Sequence, residues 1–172
     1  LILQKKNRQL SQLYIHDSLT GLYNRMAYEK LALPVFNQYM KSKKPVGIMF
    51  IDADHLKYIN DTFGHDMGNL AISSIASVIR QHCPANSVSM RYGGDEFVCV
   101  IPDYDQTQMQ KLKQNLLDSL ATLSRNSRMA FPIEASIGFV VADDSVFSLN
   151  DYINLADEKM YAEKKERKAT RQ

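Results

Sequence analysis

The chain of 172 residues is short of cysteine, of excess charge and of long apolar runs. Its two cysteines, Cys83 and Cys99, have no paired spacing, which argues against a disulfide framework or a zinc site and suits a reducing, cytoplasmic setting for this domain. A formal net charge of +2 is too mild to single out nucleic acid or a membrane surface as partner. No apolar run approaches the length that spans a bilayer, no signal-peptide pattern opens the chain, and neither internal repeats nor low-complexity segments occur. No initiator methionine precedes Leu1, so the sequence reads as a fragment whose missing front end holds a sensor or a membrane anchor. What is present, 45% hydrophobic and 23% charged residues, suits one soluble domain with a core of its own.

Residues 1–16 place Leu3, Leu10 and Leu13 at heptad-like spacing among Lys and Gln, the end of a connecting helix. A glycine-containing turn, Asp17 to Asn24, follows, with Asn24 expected to cap a helix that runs toward Met40 and kinks at Pro34. Val46 to Asp52 is an apolar run of strand length and ends on a carboxylate. Helical spacing recurs from Met67 to His82 and again through Met109, Leu112, Leu116, Leu120 and Leu123. Between these helices, Ser87–Tyr92 and Asp95–Ile101 are strand-like, and Gly93-Gly94 between them predicts a hairpin with a type I′ turn, whose central residues need positive φ. A last strand is expected over Ile133–Val141, and Ser148 to Asp151 has capping-box spacing for a final helix. Helices, strands and one hairpin in this order point to an α+β fold with a mixed sheet flanked by helices, and away from a doubly wound parallel sheet.

The carboxylates carry the chemistry. Asp52 closes a buried strand, while Asp95 and Glu96 sit at a hairpin tip; as neighbours they would meet at one sheet edge and repel unless a hard cation such as Mg²⁺ neutralised them. The pair Asp52 and Asp54, taken alone, reads as solvated strand-end charge. The turn after Asp52 offers the free N–H groups of His55 and Leu56 as a phosphate cradle, with Lys57 either facing phosphate or snorkelling at the surface. Asn60 and Asn69 are turn formers or readers of a base edge; His65 is more simply a loop or core histidine. Phe50, Phe97, Phe139 and Cys99 read as core.

DSLTGLYNR at 17–25, DADHLKYINDTFGHDMGN at 52–69, RYGGDEF at 91–97, ASIGF at 135–139 and ADEKMYAEKK at 156–165 together resemble the GGDEF domains, the diguanylate cyclases of bacterial signalling. The resemblance implies a catalytic domain over 17–172 with a central, mostly antiparallel sheet flanked by helices, akin to nucleotidyl cyclases and polymerase palms. It implies a half-site enzyme in which two domains, each holding one GTP and Mg²⁺ (or Mn²⁺), meet as a homodimer and form cyclic di-GMP and two pyrophosphates. It assigns Asp52, the Ala53 carbonyl, Asp95 and Glu96 to the metal and makes Asp95 the proton acceptor. Lys57, the His55 and Leu56 N–H groups, Lys164 and, less firmly, Lys168 fall to the phosphates; Asn60, His65 and Asn69 to the nucleoside; and Gly93-Gly94 to a close approach to the α-phosphate.

The sequence departs from the family pattern in three places. Asn69 stands for the usual Asp, so it either turns its one carbonyl toward guanine or relaxes base selectivity toward cyclic GMP-AMP. Pro84 and Ser87 replace the Arg and Asp of the inhibitory RxxD, which removes the expectation of product inhibition there. Arg167-Lys168-Ala169 replaces Gly-Arg-Asn, which puts an ammonium where the family has a guanidinium and puts the Lys168 contact in doubt. Two rival readings stand beside the cyclase: a regulatory module that binds nucleotide without turnover, and a palm acting on nucleic acid, against which the lack of a basic groove or stacking platform argues.

Overall fold

The apolar run of the sequence becomes β2 (Val46–Ala53), buried along nearly its whole length. This computed structural model describes residues 1–126, 129–143 and 147–170, and the side chains of residues 8 and 11–13, Leu13 of the expected seam among them, lie outside those described. Before β2 come α1 (Ile2–Ile15), the two-residue β1 (Tyr23–Asn24), a π-helical turn (Tyr28–Ala32) and α2 (Leu33–Lys41). After it come α3 (Leu56–Phe63), α4 (His65–His82), β3 (Val88–Arg91), β4 (Glu96–Pro102), α5 (Gln106–Asn126), β5 (Ala135–Ala142) and α6 (Leu149–Thr170).

The five strands form one sheet in the order β1-β3-β4-β2-β5. The β1–β3 pair is parallel and every other pair antiparallel, the α+β arrangement expected from the element order. Because side chains alternate across a strand, β2 feeds two cores. Met49, Ile51 and Ala53 face α4 and α5 through Ile72, Ile75, Leu112 and Leu116. Val46, Ile48 and Phe50 face α2 and α6 through Phe36, Tyr152, Ile153 and Met160. Each such Val, Leu, Ile, Phe or Met side chain, withdrawn from water, stabilises the fold by about 1.5–3 kcal/mol relative to exposure.

Two features of this packing position the site. At Gly138 on β5 a Cβ would collide with the backbone of Ala156 and Met160, so only glycine lets α6 lie this close to the sheet. The capping box at the start of α6 forms as its spacing predicts, the Ser148 N–H donating to Asp151 Oδ2 at 2.9 Å and the Asp151 N–H to Ser148 Oγ at 3.2 Å.

Three local expectations are corrected. The hairpin exists, but Gly93 and Gly94 are not among the residues with positive φ, so the turn is not type I′. The link runs from Tyr92 to Asp95, with the Tyr92 N–H donating to the Glu96 carbonyl at 2.8 Å, and the longer turn relieves both glycines of the left-handed requirement. A Cβ at Gly93 would come within 2.6 Å of Glu96 Oε2, so a larger residue there would push the Glu96 carboxylate aside. Asn24 does not cap the helical run, whose N-cap is Ala27; its Oδ1 holds the Met26 N–H at 2.9 Å and its amide reaches the Tyr14 carbonyl at 2.7 Å. The break near Pro34 takes the form of the π-helical turn, from which α2 continues with the proline in its first turn. Leu3 and Leu10 on α1 are exposed.

Candidate active site

Antiparallel registration sets the site. Asp52 on β2 lies opposite Glu96 of β4 on one side and Ser136 of β5 on the other. The Ala53 N–H donates to the Asp95 carbonyl at 2.8 Å, which ties the hairpin tip to the end of β2. His55 then takes up a left-handed conformation, φ 59° and ψ 20°, and turns the chain abruptly into α3. No side chain caps that helix, so its first N–H groups are open toward the same edge.

A cleft of about 500 Å³ opens at this edge, lined by Ala53, Asp54, His55, Leu56, Lys57, Asp95, Lys164, Arg167 and Lys168. Lys164 Nζ lies 3.3 Å from Asp52 Oδ2 and 3.4 Å from Asp54 Oδ1. Lys57 and Lys168 are exposed at the rim. The cleft thus has an acidic floor where strands end and cations on its helical walls.

The acids differ in how well they are satisfied. Burial pushes the Asp52 carboxyl above the ordinary aspartate range; Lys164 opposes this, and the neighbouring Asp95 and Asp54 reinforce it. Lys164 itself is held up, because the attraction of Asp52 and Asp54 outweighs its own burial. The two partners of this ion pair shift unequally because Asp52 feels desolvation and like charges that a single ammonium does not offset. Glu96 is likewise pushed up, first by burial, then by Asp95, Asp52 and Asp157, with Arg25 opposing. Asp52 Oδ1 is buried with no hydrogen-bond partner, an acceptor left open beside other oxygens.

Hard oxygen donors with an unfilled lone pair suit Mg²⁺ better than a softer ion. Among the described residues no three acidic, histidine or cysteine side chains close into a metal cage. A partial set of this kind matches an ion that arrives with substrate phosphates and keeps several non-protein ligands.

Of the residues singled out by sequence, the cleft gathers Ala53, His55, Leu56, Lys57, Asp95, Lys164 and Lys168, with Asp52 reached through Lys164 and Glu96 through pairing. Asn60, His65, Asn69, Gly93 and Gly94 are not in its lining. Asn60 packs against Gly68, while His65 and Asn69 are exposed at the start of α4. The Gly94 carbonyl accepts from Arg91 Nη2 at 2.7 Å, so the hairpin tip is braced by its own strand. Arg91 also pairs with Asp17 at 3.3 Å, joining the first motif to the hairpin.

Two participants escape sequence reasoning. Asp54 is not a solvated charge: it is 7% exposed, accepts the Ser136 hydroxyl at 2.7 Å and pairs with Arg167 at 3.2 Å. Arg167 also donates to Ser136 from the same nitrogen. The departure at Arg167-Lys168-Ala169 is the one signal in the sequence, and it does not disclose the partners of Arg167.

Comparison with known proteins gives the family and the fold. The family described as "Diguanylate cyclase, GGDEF domain" matches residues 14–170. The bifunctional diguanylate cyclase/cyclic di-GMP phosphodiesterase MucR of Pseudomonas aeruginosa is 31% identical over 92% of this chain and 23% of its own length. Diguanylate cyclase DgcN of Escherichia coli is 32% identical over 97% of this chain and 41% of its own. The chain spans less than half the length of these curated relatives. Among solved structures, the GGDEF domain of DgcB from Caulobacter crescentus, in complex with c-di-GMP, superposes with a TM-score of 0.81 at 26% identity, covering 88% of this chain and 90% of that one. With the family model matching nearly the whole of it, the chain belongs to the GGDEF family of diguanylate cyclase domains.

Proposed function

We propose that this domain condenses two GTP molecules into cyclic di-GMP, with Mg²⁺ (or Mn²⁺) as cofactor, where two copies face each other. The observation that carries the reading is the convergence of the Asp52 strand end, the Asp95–Glu96 hairpin and the α6 cations on one cleft.

In each half-reaction the 3′-hydroxyl of one GTP attacks the α-phosphorus of the other. A phosphorus–oxygen bond forms, the bond to the bridging oxygen breaks, and pyrophosphate leaves with that electron pair. Asp95, on the cleft wall, takes the hydroxyl proton as general base. Lys57, Lys164 and the open N–H groups at the start of α3 hold the phosphates and steady their charge, with Lys168 at the rim. Asp52, Asp95, Glu96 and the Ala53 carbonyl would hold the metal, which when bound lowers the pKa of the attacking hydroxyl and stabilises the leaving pyrophosphate. Asn60, His65 and Asn69, on α3 and the start of α4, fall to the nucleoside.

Dimerisation through α1, whose Leu3 and Leu10 are exposed, belongs to the same proposal, as does an N-terminal sensor or membrane anchor acting through that helix. The test is mass-resolved product analysis of the chain at high concentration with Mg²⁺ and GTP, ATP or both, with Asp95→Ala as control. Cyclic di-GMP from the wild type alone supports the proposal. Nucleotide binding with no product in any mixture would instead favour the module without turnover. Asn69, exposed and carrying an amide in place of a carboxylate, favours a second reading in which adenine is tolerated and cyclic GMP-AMP forms. Asn69→Asp is then expected to raise the GTP-over-ATP ratio of kcat/KM about tenfold, and an unchanged ratio removes residue 69 from base selection.

A further inference from the structure

Helix α6 brings three cations to the cleft along one stripe, since Lys164, Arg167 and Lys168 stand three and four residues apart. Their states differ. Lys164 is engaged by two carboxylates, Asp52 and Asp54. Lys168 is exposed and forms no ion pair among the described residues. Arg167 is held along one edge only: Nη2 donates to Asp54 Oδ2 at 3.2 Å and to the Ser136 hydroxyl, and among the described residues no other nitrogen of this guanidinium has an acceptor.

The anchors are rigid. Ser136 is fully buried in β5, and Asp54 is 7% exposed. Glu163, one turn earlier on α6, is tied to Lys113 of α5, so the helix is fixed beside the cleft. A guanidinium is planar, so pinning Nη2 fixes the plane; with Nε buried, Nη1 is the nitrogen left for a ligand. About a third of the side chain, 34%, remains exposed, and it lines the cleft. A lysine at this position would meet Asp54 with its only nitrogen and have little left to offer a ligand.

We propose that Arg167 is a binding residue for the phosphate tail of the nucleotide, aimed by Asp54 and Ser136. This rests on the reading that a nucleoside triphosphate occupies the cleft. Nη1, held in a fixed plane, suits an oxygen of the terminal phosphates, which Lys168 would contact only as a mobile point charge.

The test uses 3′-deoxyguanosine tri-, di- and monophosphates, which lack the attacking hydroxyl and do not turn over, titrated calorimetrically into the chain with Mg²⁺. The wild type is expected to prefer the triphosphate to the monophosphate. Arg167→Met is expected to cut triphosphate affinity about tenfold and leave monophosphate affinity unchanged, as the removal of one charge-assisted hydrogen bond would. Arg167→Lys keeps a charge for Asp54 and is expected to lose about threefold; it decides the matter where the methionine variant fails to fold by thermal melting. Ser136→Ala keeps the charge but unpins the plane, and is expected to fall between wild type and Arg167→Met. Folded Arg167 variants with the wild-type ratio of triphosphate to monophosphate affinity would overturn the assignment. Failure of the wild type to bind any of the three would overturn the nucleotide reading instead.

Discussion

Asp52 and Asp54 leave the same strand end two residues apart and arrive in opposite conditions. Asp54 is buried and satisfied, with a serine hydroxyl, an ammonium and a guanidinium on its two oxygens. Asp52 shares that ammonium, keeps one buried oxygen without a partner, and is pushed toward its protonated form. The fold has therefore spread its cations unevenly over two equal acids. A satisfied acid holds α6 to the sheet, and a frustrated acid waits for charge from outside.

The largest effect that would sharpen this contrast is on turnover. Asp95→Ala is expected to lower kcat about 10²- to 10⁴-fold, the usual worth of a positioned general base, with thermal stability unchanged. A normal rate would remove Asp95 from proton transfer. Next in size, Asp54→Ala is expected to destabilise the domain by about 2–3 kcal/mol in urea unfolding, less than the roughly 3–5 kcal/mol for one partner of a fully buried pair because Arg167 is partly exposed. Unchanged stability together with lost binding would place Asp54 with the ligand-facing acids and break the comparison.

A smaller effect runs the other way. Glu96→Gln is expected to raise the Tm of the metal-free chain at neutral pH, measured by calorimetry. The folded carboxyl titrates above its unfolded value, so its ionised form costs the fold stability. That cost is complete above the raised folded pKa and gone below the ordinary glutamate value of about 4.3, so the advantage of the variant should fade as pH drops through that window. An advantage that grows in acid would contradict the sign.

The contrast also marks where the sequence stops being legible. Continuous apolar runs locate β2 and β5, which are buried on both faces, and period-3.6 patterns locate α4 and α5, each with one buried face, all to within a few residues. The acidic edge follows from strand ends and a hairpin, both local signals. The turn type does not, since two adjacent glycines permit positive φ without demanding it. Asp54 reads as solvated in the sequence because its environment comes from β5 and the last helix, and no spacing rule joins an aspartate to a serine 82 residues on and an arginine 113 residues on. The π-helical turn and the two-residue β1 are too short for any periodicity to mark.

That separation of 113 residues has a meaning for the growing chain. During synthesis the strand with both aspartates and the hairpin with its own acids are complete long before residue 167 has been made. Until then the acidic floor has no helical wall opposite it. The loop entropy that must be overcome to join the two grows only slowly with length, so the wait is set by translation more than by thermodynamics. The cleft is accordingly among the last parts of the domain to come into being, and a chain cut short before α6 would carry the family's signature motif without Lys164, Arg167 and Lys168 beside it.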